Sequence, residues 1–305
     1  MAIYENYACR HNLGDKMELT LHARAKINLA LDVVRKREDG YHDLRMIMQT
    51  VELHDDIIMR QCNPIDNNGA IKLLTNLPYL PTDERNLVYQ AAEYMFSKYR
   101  LTGGLFIGLK KRIPVAAGLA GGSADCAAAI LGINRLYGLK LTLPAMTELG
   151  KRFGADVPFC LLGGTALAEG VGDKLTPLSP HPKTVVAIVK PPVSISTAST
   201  FKAFSNNVSR RPDFDSILHA LEQSDVRGIA ANFLNVLEEK NIFLYPDILR
   251  IKNIFLEMGA MGALMSGSGS AVFAYFETKE SAQEAVLQIQ AELPRVKEVN
   301  VTHTD

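Results

Sequence analysis

Gly118, Gly121 and Gly122 stand inside a run of small residues, P-V-A-A-G-L-A-G-G-S-A-D, at Pro114–Asp125. Glycine loses more backbone freedom on ordering than any other residue. Three so close together imply a backbone that takes unusual angles or lies bare against something. After Ser123 the apolar positions Ile130, Ile133, Leu136 and Tyr137 recur at helical spacing. A Gly-rich bend entering a helix presents unpaired amides and the positive end of the helix dipole, a combination that suits a phosphate group. A tight turn ahead of a buried Ala-rich helix is the plainer reading of the same residues. Two further positions carry charge in apolar company. Asp156 is the only acid between Asp125 and Glu169 outside the Glu148 region, and a helix cap before Val157 is its simplest role. Lys26 and Asn28 interrupt an apolar strand; a strand lysine normally turns to solvent, and only a nearby anion makes it functional.

Other chemistries are absent from the sequence. There is no Gly-Lys-Ser/Thr for a P-loop, and no G-x-G-x-x-G opening a helix. The H-R-D and D-F-G triplets of protein kinases do not occur, and around Ser123 the order G-G-S-A-D is not a G-x-S-x-G elbow. Cys9, Cys62, Cys126 and Cys160 form no C-x-x-C pair, and the seven histidines include no H-E-x-x-H. No metal ligands are assigned, and a reduced, cytoplasmic chain is expected. Lys plus Arg and Asp plus Glu are both 33, which argues against nucleic acid as a partner. No apolar run reaches the ~18 residues of a membrane helix, and Met1–Lys16 lacks the apolar centre of a signal peptide.

The elements that must position these residues follow from periodicity and punctuation. Leu19, Leu21 and Ala23 alternate, so Glu18–Val34 reads as strand, bend and strand. Asp39-Gly40 marks a turn that presents Tyr41 and His42. Thr50–Arg60, Ile71–Leu74 and Leu105–Leu109 read as strands, with a turn-rich interval through Asn63, Pro64, Asn67, Asn68 and Gly69. Asn86 reads as the N-cap of a helix through Tyr99, and Pro144 opens a short helix ending near Gly154. Val185–Val189 and Val296–Val301 read as strands. Helices are predicted at Thr197–Phe204, Phe214–Gln223, Asn232–Glu239, Pro246–Glu257 and Lys279–Leu293. The mixture is α+β. At 305 residues two domains are expected, residues 1–178 and 179–305, with residues 1–16 a possible extension.

Three separated motifs carry a resemblance: A-K-I-N-L-A-L-D-V at Ala25–Val33 with K-R-E-D-G-Y-H-D-L at Lys36–Leu44; Pro114–Asp125 continued by G-A-D-V-P-F at Gly154–Phe159 and A-E-G-V-G-D-K-L at Ala168–Leu175; and M-S-G-S-G-S-A-V-F at Met265–Phe273. In their order and spacing the chain, from Met17 onward, resembles the GHMP kinase superfamily. The Tyr41-His42 pair after Asp39-Gly40 is similar to the branch that acts on a cytidine diphosphate-linked alcohol. The resemblance implies a ribosomal S5 domain 2-like N-terminal domain, a ferredoxin-like C-terminal domain and a substrate cleft between them. It implies ATP with Mg2+ as the phosphoryl source, and the 2-hydroxyl of 4-diphosphocytidyl-2-C-methyl-D-erythritol as acceptor. A monomer or homodimer is expected, and the balanced charge and short apolar runs predict no nucleic-acid or membrane partner. Another small-molecule kinase of the superfamily, or a non-catalytic nucleotide-binding paralogue, are the alternatives.

By the same resemblance Asp156 is the catalytic base and Lys26 the catalytic lysine. Pro114, Ala116, Ala117, Gly118, Leu119, Ala120, Gly121, Gly122, Ser123 and Ala124 line the ATP phosphates, with Lys110 and Asn86 on the adenine side. Asn28 contacts the erythritol, Tyr41 and Phe201 flank the cytosine, and His42 bonds its edge. Two departures from the family pattern stand out. Ala120 replaces a glycine where backbone approaches phosphate, and Ala124 replaces a serine hydroxyl worth ~0.5–1.5 kcal/mol as a hydrogen bond.

Overall fold

The computed structural model describes residues 18–62, 70–204 and 207–305. The possible extension at 1–16 and the turn-rich interval from Asn63 to Gly69 lie outside the described residues. The chain forms two compact units that interleave along the sequence. Unit one takes the chain up to Ala23, His54–Arg112 and Gly122–Leu162; unit two takes Arg24–Leu53, Ile113–Gly121 and Gly163–Asp305.

Strands β1 (Glu18–Lys36) and β2 (His42–Cys62) are long enough to belong in part to each unit. In unit one the second half of β2 pairs antiparallel with β4 (Gly104–Lys110), which pairs parallel with β3 (Ile71–Thr75). Helices α1 (Leu87–Tyr99), α2 (Gly121–Leu136), α3 (Leu143–Gly150) and α4 (Val157–Leu162) complete the unit. Asn86 caps α1 as its residue type predicts: Oδ1 accepts from Val88 N at 2.9 Å and Nδ2 donates to the Pro81 carbonyl. The alternating Leu21 and Ala23 enter the core of this unit beside Ile57, Met59, Ile107 and the small side chains Ala124, Ala127, Ala128 and Ala129 of α2. Small residues on one helix face let it lie close to a sheet.

In unit two, β2 pairs antiparallel with β5 (Thr165–Gly170), and β5 with β6 (Lys174–Pro177). A second sheet has the order β11 (Glu298–His303), β7 (Val185–Lys190), β10 (Val272–Phe276), β9 (Gly262–Met265), antiparallel throughout. Val186, Ile188, Phe273 and Tyr275 point from it into a core shared with Ala25, Ile27, Leu29 and helix α6 (Phe214–Glu222). Helices α9 (Pro246–Glu257) and α10 (Lys279–Glu292) pack on each other and on this sheet. Helix α5 (Thr197–Ala203) follows β7.

Three expectations change. Glu18–Val34 contains no bend: it is one strand, extending to Lys36. The second strand begins at His42, eight residues before Thr50. The helix predicted over Asn232–Glu239 is replaced by helix α7 (Val226–Ala231), a two-residue strand β8 (Leu234–Asn235) and helix α8 (Glu238–Leu244). There Leu234 and Asn235 pair parallel with Ala30 and Leu31, so a sheet partner distant in sequence overrides the local pattern.

Candidate active site

The loop Ile113–Ala120 joins β4 to α2, and its backbone enters the left-handed region at alternate residues: φ is 53° at Ala116, 79° at Gly118 and 56° at Ala120. Its carbonyls are held individually within unit two. Ala117 O accepts from Ala271 N at 3.0 Å and Leu119 O from Lys26 N at 3.1 Å. Gly118 O accepts from both Ser266 Oγ, at 2.9 Å, and Lys26 Nζ, at 3.1 Å. A Cβ at Gly118 would collide with the Ser266 carbonyl, so this glycine is required for backbone-to-backbone contact. These three consecutive carbonyls face the protein.

Lys26 is 4% exposed and Asn28 fully buried, which corrects the expectation of a solvent-facing lysine. Lys26 Nζ donates to Asn28 Oδ1 at 2.6 Å, and Asn28 Nδ2 reaches Met46 Sδ at 3.5 Å. A buried ammonium must be surrounded by acceptors, and two of these are now identified. The second Gly/Ser loop, Ser266–Ala271, is pinned by residues the sequence did not single out. Asn235 Nδ2 donates to Met265 O and Gly267 O, both at 2.8 Å, and Asn241 Nδ2 to Ser268 O at 3.0 Å. Thr197 Oγ1 lies 3.0 Å from Ser268 Oγ. Asn235 lies within Asn232–Glu239, where the predicted helix is absent, and Asn241 just beyond it, so their only sequence signal is the polar residue type itself.

In unit one the first turns of α2 carry Gly122, Ser123, Ala124 and Asp125. A Cβ built at Gly122 meets only Leu87 Cδ1, at 3.9 Å, so the space beside the first turn of this 16-residue helix is open at that position. Ser123 Oγ is 3.8 Å from where a Cβ on Gly154 would stand, which brings the helix start beside the G-A-D-V-P-F motif. Asp156 immediately precedes α4; its carbonyl accepts from Cys160 N at 3.0 Å, and its side chain is half-buried. Lys110 ends β4 on the surface, whereas its neighbour Lys111 is buried.

Lys111 is the centre of a group that sequence reading missed. Its ammonium bonds the carboxylates of Asp55 on β2 and Asp125 on α2, the latter at 2.7 Å, and all three side chains are buried. Asn76 brackets it, accepting from Lys111 N at 2.7 Å and donating to Lys111 O at 3.1 Å. Two acids share one cation. Burial, followed by the Asp55 charge, outweighs the Lys111 attraction and pushes the Asp125 carboxyl up to about 8. Among the described residues Asp125 Oδ1 has no hydrogen-bond partner.

The proposed cytosine residues fall within unit two. The His42 ring stacks on Phe201, with centroids 5.3 Å apart and planes 25° apart, and meets Phe204 edge-on at 6.5 Å. Burial and then the Lys36 charge lower the His42 pKa, favouring the neutral ring, which both donates and accepts. Tyr41 stands on the turn, 66% exposed, with its carbonyl held by Arg37 N.

A fold with two sheets, a bent Gly-rich loop running into a helix start and a second Gly/Ser loop against it defines a class. Residues 86–164 match the GHMP kinases N terminal domain and residues 210–295 the GHMP kinases C terminal domain. The chain belongs to the GHMP kinase family.

Its similarity is narrower than the family. It is 48% identical over 264 residues to the 4-diphosphocytidyl-2-C-methyl-D-erythritol kinase of Lachnospira eligens, covering 86% of this chain and 90% of that protein. It is 43% identical over 287 residues to the kinase of the same name from Caldicellulosiruptor saccharolyticus, covering 94% of this chain and 97% of that protein. A crystal structure of a 4-(cytidine 5'-diphospho)-2C-methyl-D-erythritol kinase matches with a TM-score of 0.79 at 31% identity, covering 94% of this chain and 99% of that one. Homoserine kinase from Cytophaga hutchinsonii matches with a TM-score of 0.73 at 19% identity, a likeness of fold alone.

Proposed function

We propose that this GHMP kinase transfers the terminal phosphoryl group of ATP to the 2-hydroxyl of 4-diphosphocytidyl-2-C-methyl-D-erythritol, a step of non-mevalonate isoprenoid precursor synthesis. The observation that carries the reading is the agreement in identity and coverage with kinases of that name over nearly the whole chain, 94% against the relative from Caldicellulosiruptor saccharolyticus. The division at 178/179, with one family match on either side of it, is retained as the boundary of the two sequence halves. Cytoplasmic residence is proposed with it, supported by widely spaced cysteines that form no C-x-x-C pair. Among the described residues no helix is long and apolar enough to cross a membrane.

Phosphoryl transfer asks a protein for positioning and charge neutralisation more than for covalent chemistry. The first turn of α2 suits a polyphosphate: a Cβ at Gly122 would meet only Leu87, and the dipole there is positive. Mg2+ travelling with the triphosphate supplies neutralisation of its oxygens. Gly118, Leu119, Ala120, Gly121, Gly122 and Ser123 then offer amides to the phosphates, with the Ser123 hydroxyl in place of the side chain that Ala124 lacks. Asp156 accepts the proton of the substrate hydroxyl, and Lys26 is assigned as the catalytic lysine. Asn28, already oriented by Lys26, contacts the erythritol. His42 bonds the cytosine edge while Phe201, already stacked on His42, and Tyr41 present flat faces to the base.

The test is turnover of the full chain with ATP, Mg2+ and a panel of alcohols, following ADP release. The cytidyl substrate is expected to react, and mevalonate, homoserine and simple sugars are not. Turnover of mevalonate-type alcohols in its place would overturn the Tyr41-His42 assignment; nucleotide binding without turnover of any alcohol would overturn the enzyme reading.

A further inference from the structure

On the face of unit one formed by β1 and β2, three side chains from two distant segments converge. His22 comes from β1, and His54 and Asp56 stand two residues apart on β2, hence on the same side of the strand. His22 Nδ1 is 3.0 Å from Asp56 Oδ1 and His54 Nε2 is 3.4 Å from the same oxygen; the two imidazole rings lie 4.3 Å apart. One nitrogen from each ring and one carboxylate oxygen lie within 4.8 Å of one another. Those two edges are the ones a cation with bonds of about 2.1 Å spans when its bond angles lie between octahedral and tetrahedral.

A positive charge already occupies this corner. The Arg112 guanidinium puts Nη2 2.6 Å from Asp56 Oδ2, and Nη1 3.2 Å from His54 Nε2 and 3.3 Å from Asp56 Oδ1. The same acceptors therefore satisfy a cation supplied by the chain itself. Arg112 is on the surface, its side chain 41% exposed, so it has room to swing aside. His22 is also solvent-accessible, which gives a dissolved ion an entry path.

We propose that His22, His54 and Asp56 form a binding site for a borderline transition-metal cation of the Zn2+ and Co2+ kind, in which the ion displaces the Arg112 guanidinium. Two imidazoles and one carboxylate select such ions over Mg2+, which prefers oxygen ligands and retains its water. The site uses none of the side chains assigned to the kinase reaction, although Asp56 pairs with Lys110 across the β2–β4 ladder, and it is independent of the substrate assignment. Because imidazole must be neutral to bind metal, occupancy releases protons and weakens as pH falls.

The full chain, stripped of metal by chelation, is titrated with CoCl2 while the visible ligand-field absorption is followed, and then back-titrated with ZnCl2 and separately with MgCl2. One Co2+ per chain is expected, displaced by one equivalent of Zn2+ and not by Mg2+. Loss of a direct ligand in His54→Ala or Asp56→Asn lowers affinity by more than about tenfold. Arg112→Ala raises affinity, because the competing cation is gone. If His54→Ala shifts the urea midpoint, His22→Ala, at an exposed position, carries the same test. Absence of a ligand-field band overturns the proposal. So does a band of unchanged affinity in the histidine variants, or an Arg112→Ala variant that binds no more tightly than wild type.

Discussion

Asp125→Asn should change the pH dependence of stability, and the reason lies in the stoichiometry of charges around Lys111. Two buried carboxylates, Asp55 and Asp125, face one ammonium. With the Asp125 carboxyl pushed up to about 8, the folded chain keeps a proton that the unfolded chain releases near the ordinary Asp value. Between those two points the unfolded state gains relative to the folded one with each rise in pH. Wild-type stability therefore falls from the region of pH 4 up to about pH 8 on account of this group and is flat above it. Each pH unit is worth up to about 1.4 kcal/mol, so roughly 3 kcal/mol separates pH 5 from pH 7.5. Lys111, whose pKa is raised by both acids against the opposing effect of burial, stays charged across that window. Asparagine removes the titration and leaves a one-to-one Asp55–Lys111 pair.

Its amide also places an N–H2 group where Asp125 Oδ1 has no partner among the described residues, a fixed cost of about 1–3 kcal/mol that does not vary with pH. The slope is thus the informative quantity. Urea unfolding of both proteins at pH 5, 6, 7 and 8 should give curves that converge, or cross, as pH rises. Whichever acid holds the shared proton, the pair titrates as a unit and the result is the same. Parallel curves for the two proteins would refute the shared-proton description of the cluster.

Three further outcomes are expected. Gly118→Ala should destabilise by more than about 3 kcal/mol, because its new methyl meets the Ser266 carbonyl and its backbone is left-handed; a thermal midpoint within a degree or two of wild type would contradict the described loop packing. Ala120→Gly relieves a left-handed alanine worth ~1–2 kcal/mol, offset by ~0.4–1 kcal/mol of glycine entropy in the unfolded chain, so the net gain is about 1 kcal/mol or less by denaturant unfolding. A clear loss of stability there would place Ala120 outside the left-handed region. Asp156→Asn should lower kcat about 10²–10⁴-fold while leaving the KM for the cytidyl substrate near wild type, and wild-type turnover would remove its role as base.

Helix Pro246–Glu257 was legible to the residue, because proline at its first position and Gly259 beyond its end mark both limits chemically. The Asn86 cap was equally plain. What local reading could not supply was any element whose partner lies far along the chain. Lys26 and Asn28 looked like a break in a strand because the carbonyl that receives Lys26, Gly118 O, is 92 residues away. Leu234 and Asn235 looked helical because nothing nearby announces a parallel pairing with Ala30 and Leu31. The Asp55–Lys111–Asp125 group leaves no local trace, since burial of Lys111 depends on strand and helix partners from two other segments. Gly118 of the Gly-rich loop, by contrast, announces itself, since its left-handed backbone and its approach to the Ser266 carbonyl demand a glycine.

Gly118 O takes a proton donor from the strand lysine and another from Ser266, on a loop 148 positions further on. Neither loop is therefore at liberty to drift in shape by itself. A library that randomises only 266–270 will recover variants poor in nucleotide handling despite never touching a phosphate-facing position, and second-site revertants of those variants should map to 116–120. For anyone seeking to retarget the enzyme, the two glycine bends are a single heritable module and are best exchanged together.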